Sequence, residues 1–257
     1  MNSRFAGDWL VPDWEAPGVG AVMTTRAGGI GAAPFDSMNL RDGLGDDAAA
    51  VAENQRRLQQ AVGGAPVWLK QVHGATVVRL NSASGRPGAS VHSADASFTT
   101  EPGVVCAVQV ADCLPVLFAA PGARGVAAAH AGWRGLAGGV LEASMVALCE
   151  AVRCEPGDLQ AWLGACIGPR RFEVGPDVLE AFGADPRGES PAFVPFKPGK
   201  WHANLPLLAR ERLHAAGVRA ISGGNWCTVE SPSRFFSFRR DRVTGRMAAF
   251  VWIDRLR

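Results

Sequence analysis

Three short segments of the sequence carry residues that could hold a metal ion. They are Lys70-Gln71-Val72-His73-Gly74, Ala111-Asp112-Cys113-Leu114-Pro115 and Ala129-His130-Ala131-Gly132-Trp133-Arg134-Gly135. Two imidazoles and one thiolate form a borderline-soft donor set that suits zinc and also admits copper. Three protein ligands leave a fourth position for water or substrate, which is the arrangement of a catalytic zinc. A structural zinc closes its shell with a fourth residue, and His92 and Cys227 are the candidates for that role. Asp95 and Asp112 are available to accept a hydrogen bond from a ligand imidazole. Gly74, Gly132 and Gly135 permit close backbone approach. A different use of the same residues makes Cys113 a nucleophile activated by His73 or His130, in a hydrolase acting on amide or peptide-like bonds.

The surrounding pattern must bring these segments together. Each ligand comes at or near the end of an apolar extended run, so the side chains can converge on one edge of a sheet. Val19–Arg26 reads as a strand followed by a Gly-rich loop over 27–33. Asp46 to Val62 reads as a helix stopped by Gly63-Gly64. Val67–His73 and Ala75–Leu80 read as extended, and 81–93 as a Ser- and Gly-rich loop. Val104–Val110, Pro115–Ala120 and Gly125–His130 are three short apolar strands. A long amphipathic helix is predicted from Leu136 to Val152, entered from the Gly132–Gly135 turn, whose free N–H groups offer an anion cradle. Leu159–Gly164 reads as a strand, Pro176–Phe182 and Asn204–Ala216 as helices, and Asp185–Gly199 as a surface loop. Trp226–Val229, Phe235–Phe238 and Met247–Ile253 read as strands. Strands and helices interleave without a steady βαβ rhythm. The expected fold class is therefore α+β (mixed α/β), a single domain over residues 1–257 with mixed sheets flanked by helices.

Composition excludes several function classes. A net charge of +2 does not fit a protein whose main task is gripping nucleic acid or an anionic membrane. The first residues lack the apolar stretch of a secretory signal, and no apolar run suits a membrane span. Cytoplasmic location follows as the expectation. The six cysteines are then thiols rather than a disulfide framework, most of them in the core. Five histidines are too few for a multicopper oxidase, although copper could occupy the three-ligand site and give weak oxidase activity.

The three central motifs resemble those of the YfiH-type family, also called the laccase-domain, multicopper polyphenol oxidase or peptidoglycan editing factor family. The resemblance extends to Thr24-Thr25-Arg26 with Gly28-Gly29, Ser37-Met38-Asn39-Leu40, residues 164–175, Cys227-Thr228 and Phe236-Ser237-Phe238-Arg239-Arg240-Asp241, nearly the full chain. Two departures stand out: Phe238 lies where the family often has Tyr, and Arg170-Arg171 where Cys is common. The resemblance implies a zinc held by His73, Cys113 and His130, which would also be the catalytic centre. It implies purine nucleoside phosphorylase activity on adenosine, inosine and methylthioadenosine, with adenosine deaminase activity beside it.

The partners would then be a purine nucleoside and phosphate. Arg26, Arg134 and Arg239, which lie in the motif segments, are candidates for a bidentate grip on phosphate. Asn39 and Gln71 could bond a purine edge or a ribose hydroxyl. Asp112, Asp95 or a shared His could shuttle a proton. The H-x-E…P-C-x-x-C signature of the better-known zinc deaminases is missing, so deamination here would need a different construction.

Overall fold

The computed structural model describes Phe5, residues 8–86 and residues 88–254. β1 (Val19–Met23) is followed by a long loop and by α1 (Ala48–Val62). The Asp47 carboxylate accepts from the amides of Ala49 and Ala50 to start α1, and Gly63 ends it at a φ of 76°, a conformation glycine adopts without strain. Then come β2 (Pro66–Val67), β3 (Val77–Arg79), β4 (Ala96–Thr99), β5 (Val105–Val110), β6 (Leu114–Ala119) and β7 (Val126–Ala131). After β7 the chain forms α2 (Trp133–Ala137) and α3 (Val140–Val152), then β8 (Gln160–Leu163), β9 (Glu173–Val174) and α4 (Pro176–Ala181). The last part holds β10 (Phe193–Lys197), β11 (Lys200–Ala203), α5 (Leu205–Ala215), β12 (Ala220–Gly223), α6 (Phe238–Asp241) and β13 (Met247–Ile253).

The fold is the expected mixed α/β architecture, with four differences from the sequence reading. The long helix over 136–152 is two helices, because Gly139 takes a φ of 88° and turns the chain between α2 and α3. The expected strand over 67–73 stops at Val67, and Lys70 is held only by an isolated bridge to Ser93. The predicted loop over 185–199 contains β10, which pairs with β11 in a hairpin. Neither 226–229 nor 235–238 is a strand. Cys227 makes one bridge to Cys166, while Phe235 and Phe236 are buried on a turn whose amides bond back to Ser231. Short apolar runs look alike whether they are paired or simply buried.

Two mixed sheets stack face to face. One has the order β1-β13-β5-β2 and the other β12-β8-β6-β7-β4-β3. Alternation along each strand sets the layers. From β5, Cys106, Val108 and Val110 point inward with Met247, Ala249 and Val251 of β13, and meet Leu117, Val126, Ala128 and Trp162 of the second sheet. Val105 and Ala107 point the other way, with Ala248 and Phe250, onto Leu58 and Val62 of α1. On the far face of the second sheet, Val116, Phe118, Ala127 and Ala129 pack against Leu141, Met145 and Leu148 of α3 and Leu208 of α5. The order of layers is helix, sheet, sheet, helix. Each fully buried Leu in these layers contributes about 1.5–3 kcal/mol. A small third sheet, β10-β11-β9, lies apart from these two. No helix among the described residues is long and apolar enough to cross a membrane.

The link over 111–113 carries the chain from β5 in one sheet to β6 in the other. It therefore sits at the rim where the two sheets meet.

Candidate metal centre and the cavity it faces

Cys113 lies on that link, just before β6. His130 stands on β7, in the antiparallel register opposite Pro115. His73 comes in from the turn after Lys70 with a φ of 62°, unusual for a non-glycine residue. The ligand atoms of the three residues lie within 4.8 Å of one another. The Cys113 sulfur is 3.8 Å from His73 Nε2. A tetrahedral zinc with ordinary bond lengths separates a sulfur and a nitrogen ligand by roughly 3.6 Å, so the set fits the ion. His92 and Cys227 do not join the group. The Cys227 sulfur instead accepts the Gly168 amide.

Asp95, fully buried on the turn before β4, organises this centre. Its Oδ2 accepts from the amides of Val72 and Gly74 at 3.1 and 2.7 Å. Its Oδ1 accepts from the His73 amide at 2.9 Å and lies 2.8 Å from His130 Nδ1. Three successive amides curling around one carboxylate account for the left-handed backbone at His73. An ionised carboxylate only accepts, so the imidazole donates from Nδ1 and keeps Nε2 free for a metal.

The electrostatics agree. Burial would raise the Asp95 carboxyl, but the bonds from His130, Gly74 and Val72 hold it below its ordinary value. Burial would also raise the Cys113 thiol, yet the neighbouring His130 and His73 bring it down to about 6. Burial works against a charged His130, and the Cys113 thiolate and Asp95 outweigh it, raising it to about 9. The lowered thiol favours the thiolate, the form in which Cys113 would bind a soft cation.

The glycines do what the close packing demands. A β-carbon at Gly132 would stand 3.0 Å from the Cys113 sulfur and 3.0 Å from His73 Cδ2. One at Gly135 would stand 2.8 Å from the Gly74 carbonyl. The helix after Gly132 is only the five residues of α2, too short to serve as the anion cradle expected from a long helix.

The open side of the centre faces a cavity of about 450 Å³, large enough for a small organic ligand. Its lining places Gln71, Asp112, Arg134 and Arg239 beside the three metal-competent residues. Trp133, Ile167, Phe172, Leu205 and Phe238 give it apolar walls. Asp112 is not behind an imidazole: its carboxylate accepts from Thr228 Oγ1 and the Arg239 amide, both at 2.6 Å. The Gln71 amide is engaged with the Gln109 backbone at both ends.

Arg26 and Asn39 do not line the cavity. Arg26 spends its guanidinium on Asp36 and on the carbonyls of Asp36 and Pro232. Asn39 is fully buried and bonds the backbone of Arg41 and Arg246. The sequence reading did not single out Arg41 and Arg246, which do line the cavity. Neither belongs to a metal-ligand segment; the signal that pointed their way was Asn39 in its motif.

A family model described as "Multi-copper polyphenol oxidoreductase laccase" matches residues 20–254. A protein of Pseudomonas aeruginosa named purine nucleoside phosphorylase is 50% identical over 96% of this chain and 98% of its own length. The purine nucleoside phosphorylase YfiH of Escherichia coli is 48% identical over 95% and 98%. Among solved structures, YlmD from Geobacillus stearothermophilus superposes with a TM-score of 0.90 at 33% identity, covering 98% of each chain. A Neisseria meningitidis protein superposes with a TM-score of 0.88 at 43% identity, covering 96% of this chain and all of that one.

Proposed function

The chain belongs to the multi-copper polyphenol oxidoreductase laccase family, and from that membership and its curated relatives we propose that it is a zinc-dependent purine nucleoside phosphorylase. Its substrates in this reading are adenosine, inosine and methylthioadenosine with inorganic phosphate, and adenosine deamination is a side activity of the same centre. One observation carries the proposal: a cavity with four arginines in its lining, Arg41, Arg134, Arg239 and Arg246, opens directly onto the His73, Cys113 and His130 set.

Phosphorolysis joins a phosphate oxygen to the ribose C1′ as the C1′–N9 bond breaks, and the purine leaves with a proton. The guanidinium groups supply the positive field that a phosphate dianion requires. Trp133, Phe172 and Phe238 line the cavity with aromatic rings against which a purine can pack. Zinc, when bound, adds Lewis acidity at the reacting oxygen or leaving base. Asp95 fixes the His130 ring so that it faces the centre in one tautomer. We place the reaction in the cytoplasm, a compartment that keeps cysteines such as these six as free thiols.

A second reading has its own support. Cys113, His130 and Asp95 form a chain of thiolate, imidazole and carboxylate, with the thiol brought down to about 6. That arrangement would serve a cysteine hydrolase. Copper in the same ligand set would give the polyphenol oxidase activity that the family description suggests.

Metal analysis of unsupplemented protein, followed by an inosine assay on the same batch, separates these readings. The expected result is about one zinc per chain and hypoxanthine release that depends on added phosphate. Base release indifferent to phosphate, or metal-free protein whose Cys113 is alkylated with loss of all activity, would overturn the phosphorylase reading.

A further inference from the structure

We infer that Arg41 and Arg246 form the oxyanion subsite of the cavity, taking inorganic phosphate, and that buried Asn39 is the positioning residue that holds the two cations together. The inference rests on the phosphorylase reading for the identity of the anion, and on geometry for the location.

Asn39 joins two segments far apart in the chain. Its Oδ1 accepts from the Arg41 amide at 3.1 Å and from the Arg246 amide at 2.9 Å. Its Nδ2 donates to the Arg41 carbonyl at 3.1 Å and to Asp46 Oδ2 at 2.9 Å. The Asn39 carbonyl is in turn gripped by Asn54 Nδ2 at 3.0 Å. One side-chain oxygen thus sets the relative position of both backbones. The arrangement is buried and fully satisfied, the condition under which a polar network rigidifies its surroundings.

The two guanidinium groups differ from many of the molecule's other arginines, and unlike Arg124, Arg210 and Arg234, which also lack a carboxylate but do not line the cavity, they face it. Arg26, Arg56, Arg57, Arg170, Arg171, Arg212 and Arg240 each pair with a carboxylate. Among the described residues no carboxylate pairs with Arg41 or Arg246. The Arg246 side chain bonds only the Thr244 and Gly245 carbonyls, and it lies over the Phe238 ring. Both residues line the one cavity from a shared Asn39 anchor, and burial together with the like charge of Arg41 pulls Arg246 below the ordinary arginine value. Asp112 and Cys113, which line the same cavity, act on Arg246 in the opposite sense. Like charges held together at a cavity wall, with no carboxylate in direct ion-pair contact, are a binding device for an external anion.

Arg134 and Arg239 are less suited to that task. Arg134 lies over the ring of its neighbour Trp133. Arg239 lies over Phe172 and donates to the Glu173 carbonyl, much as Arg246 is held, but its backbone is fixed by the Asp112 carboxylate instead of by Asn39. Neither shares an anchor with a second cation.

The test is calorimetric titration of the zinc-loaded protein with inorganic phosphate, alongside steady-state kinetics with inosine. Arg41→Gln and Arg246→Gln are each expected to weaken phosphate binding about tenfold or more and to raise the phosphate KM in parallel, with inosine KM within about twofold of wild type. Arg246→Lys should recover part of the loss. Asn39→Ala should raise the phosphate KM with a smaller change in kcat and none in inosine KM, a split that general destabilisation would not give. Zinc content near wild type certifies that each variant has folded.

Wild-type phosphate affinity in Arg41→Gln and Arg246→Gln would overturn the inference. So would binding of a nucleoside 5′-monophosphate, but not of free phosphate, through the same two residues. Calorimetry decides this subsite even if no purine nucleoside is cleaved; absence of cleavage would count against the phosphorylase reading alone.

Discussion

The two sides of the cavity are built by different means. Behind the three metal-competent residues, one buried carboxylate receives four hydrogen-bond donors, and the glycines leave no room for even a methyl group. On the other side, guanidinium groups lie over aromatic rings, tied down at their backbones and free of carboxylate partners. A resident cation needs ligands prearranged to a few tenths of an ångström, and the protein supplies its own negative charge to hold them. An anion that comes and goes needs charge left unneutralised. The thiolate side is internally paired by Asp95, whereas the cation side keeps charge that its own carboxylates do not pair.

The sharpest way to break that contrast is Cys113→Ala. It should take zinc from about one per chain to background and abolish turnover, with the near-UV spectrum of the fold retained. Retained turnover would show that the ligand side is not the reacting centre. Asp95→Asn comes next. An amide nitrogen at either carboxylate position would face donors it cannot satisfy, so metal affinity should fall about 10–100-fold, measured by competition with a chromogenic chelator. Gly132→Ala should cost about 1–3 kcal/mol of stability and loosen the metal, because the Cys113 sulfur and the His73 ring must both shift; thermal unfolding with and without zinc would show it.

The pH dependence of metal retention sharpens the contrast further. A thiol depressed to about 6 stays ionised down to that pH, and protons compete for the sulfur below it. Zinc should therefore be held against a weak chelator at about pH 7.5 and released progressively at about pH 5. A Cys113→Ser variant with the same pH profile of retention as the wild type would mean that the Cys113 sulfur does not set it. Arg26→Gln is the mildest case. It removes bonds to Asp36 and Pro232 outside the cavity, so stability should fall by about 1–3 kcal/mol while both KM values stay put.

The ligand side was legible in the sequence because its residue types are scarce and their chemistry is narrow. With five histidines and six cysteines in the chain, a His or Cys at the end of an apolar run says something specific. Asp95 was legible for the same reason, as an acid beside small residues near the ligand motifs. The cation side was not. Twenty-six basic residues offer little discrimination, and lying in a motif does not tell a cavity arginine from one such as Arg26 that braces a loop. Asn39 was visible as a residue of interest, but its role depends on a contact 207 positions away, with Arg246. Fold class came through from the rhythm of strands and helices. The break at Gly139 did not, because an apolar stripe can continue across a turn when both helices face the same sheet.

β13 is the last strand of the described chain, yet it occupies the interior of its sheet, with β1 on one side and β5 on the other. During synthesis the earlier strands must wait, with an open seam between them, until the final stretch leaves the ribosome. Arg246 immediately precedes that stretch, so a nascent or truncated chain could assemble its ion ligands and still lack half of its anion grip. Premature termination before or early within β13 would therefore be expected to yield no partially active product, only a sheet with an exposed gap prone to pairing with other chains.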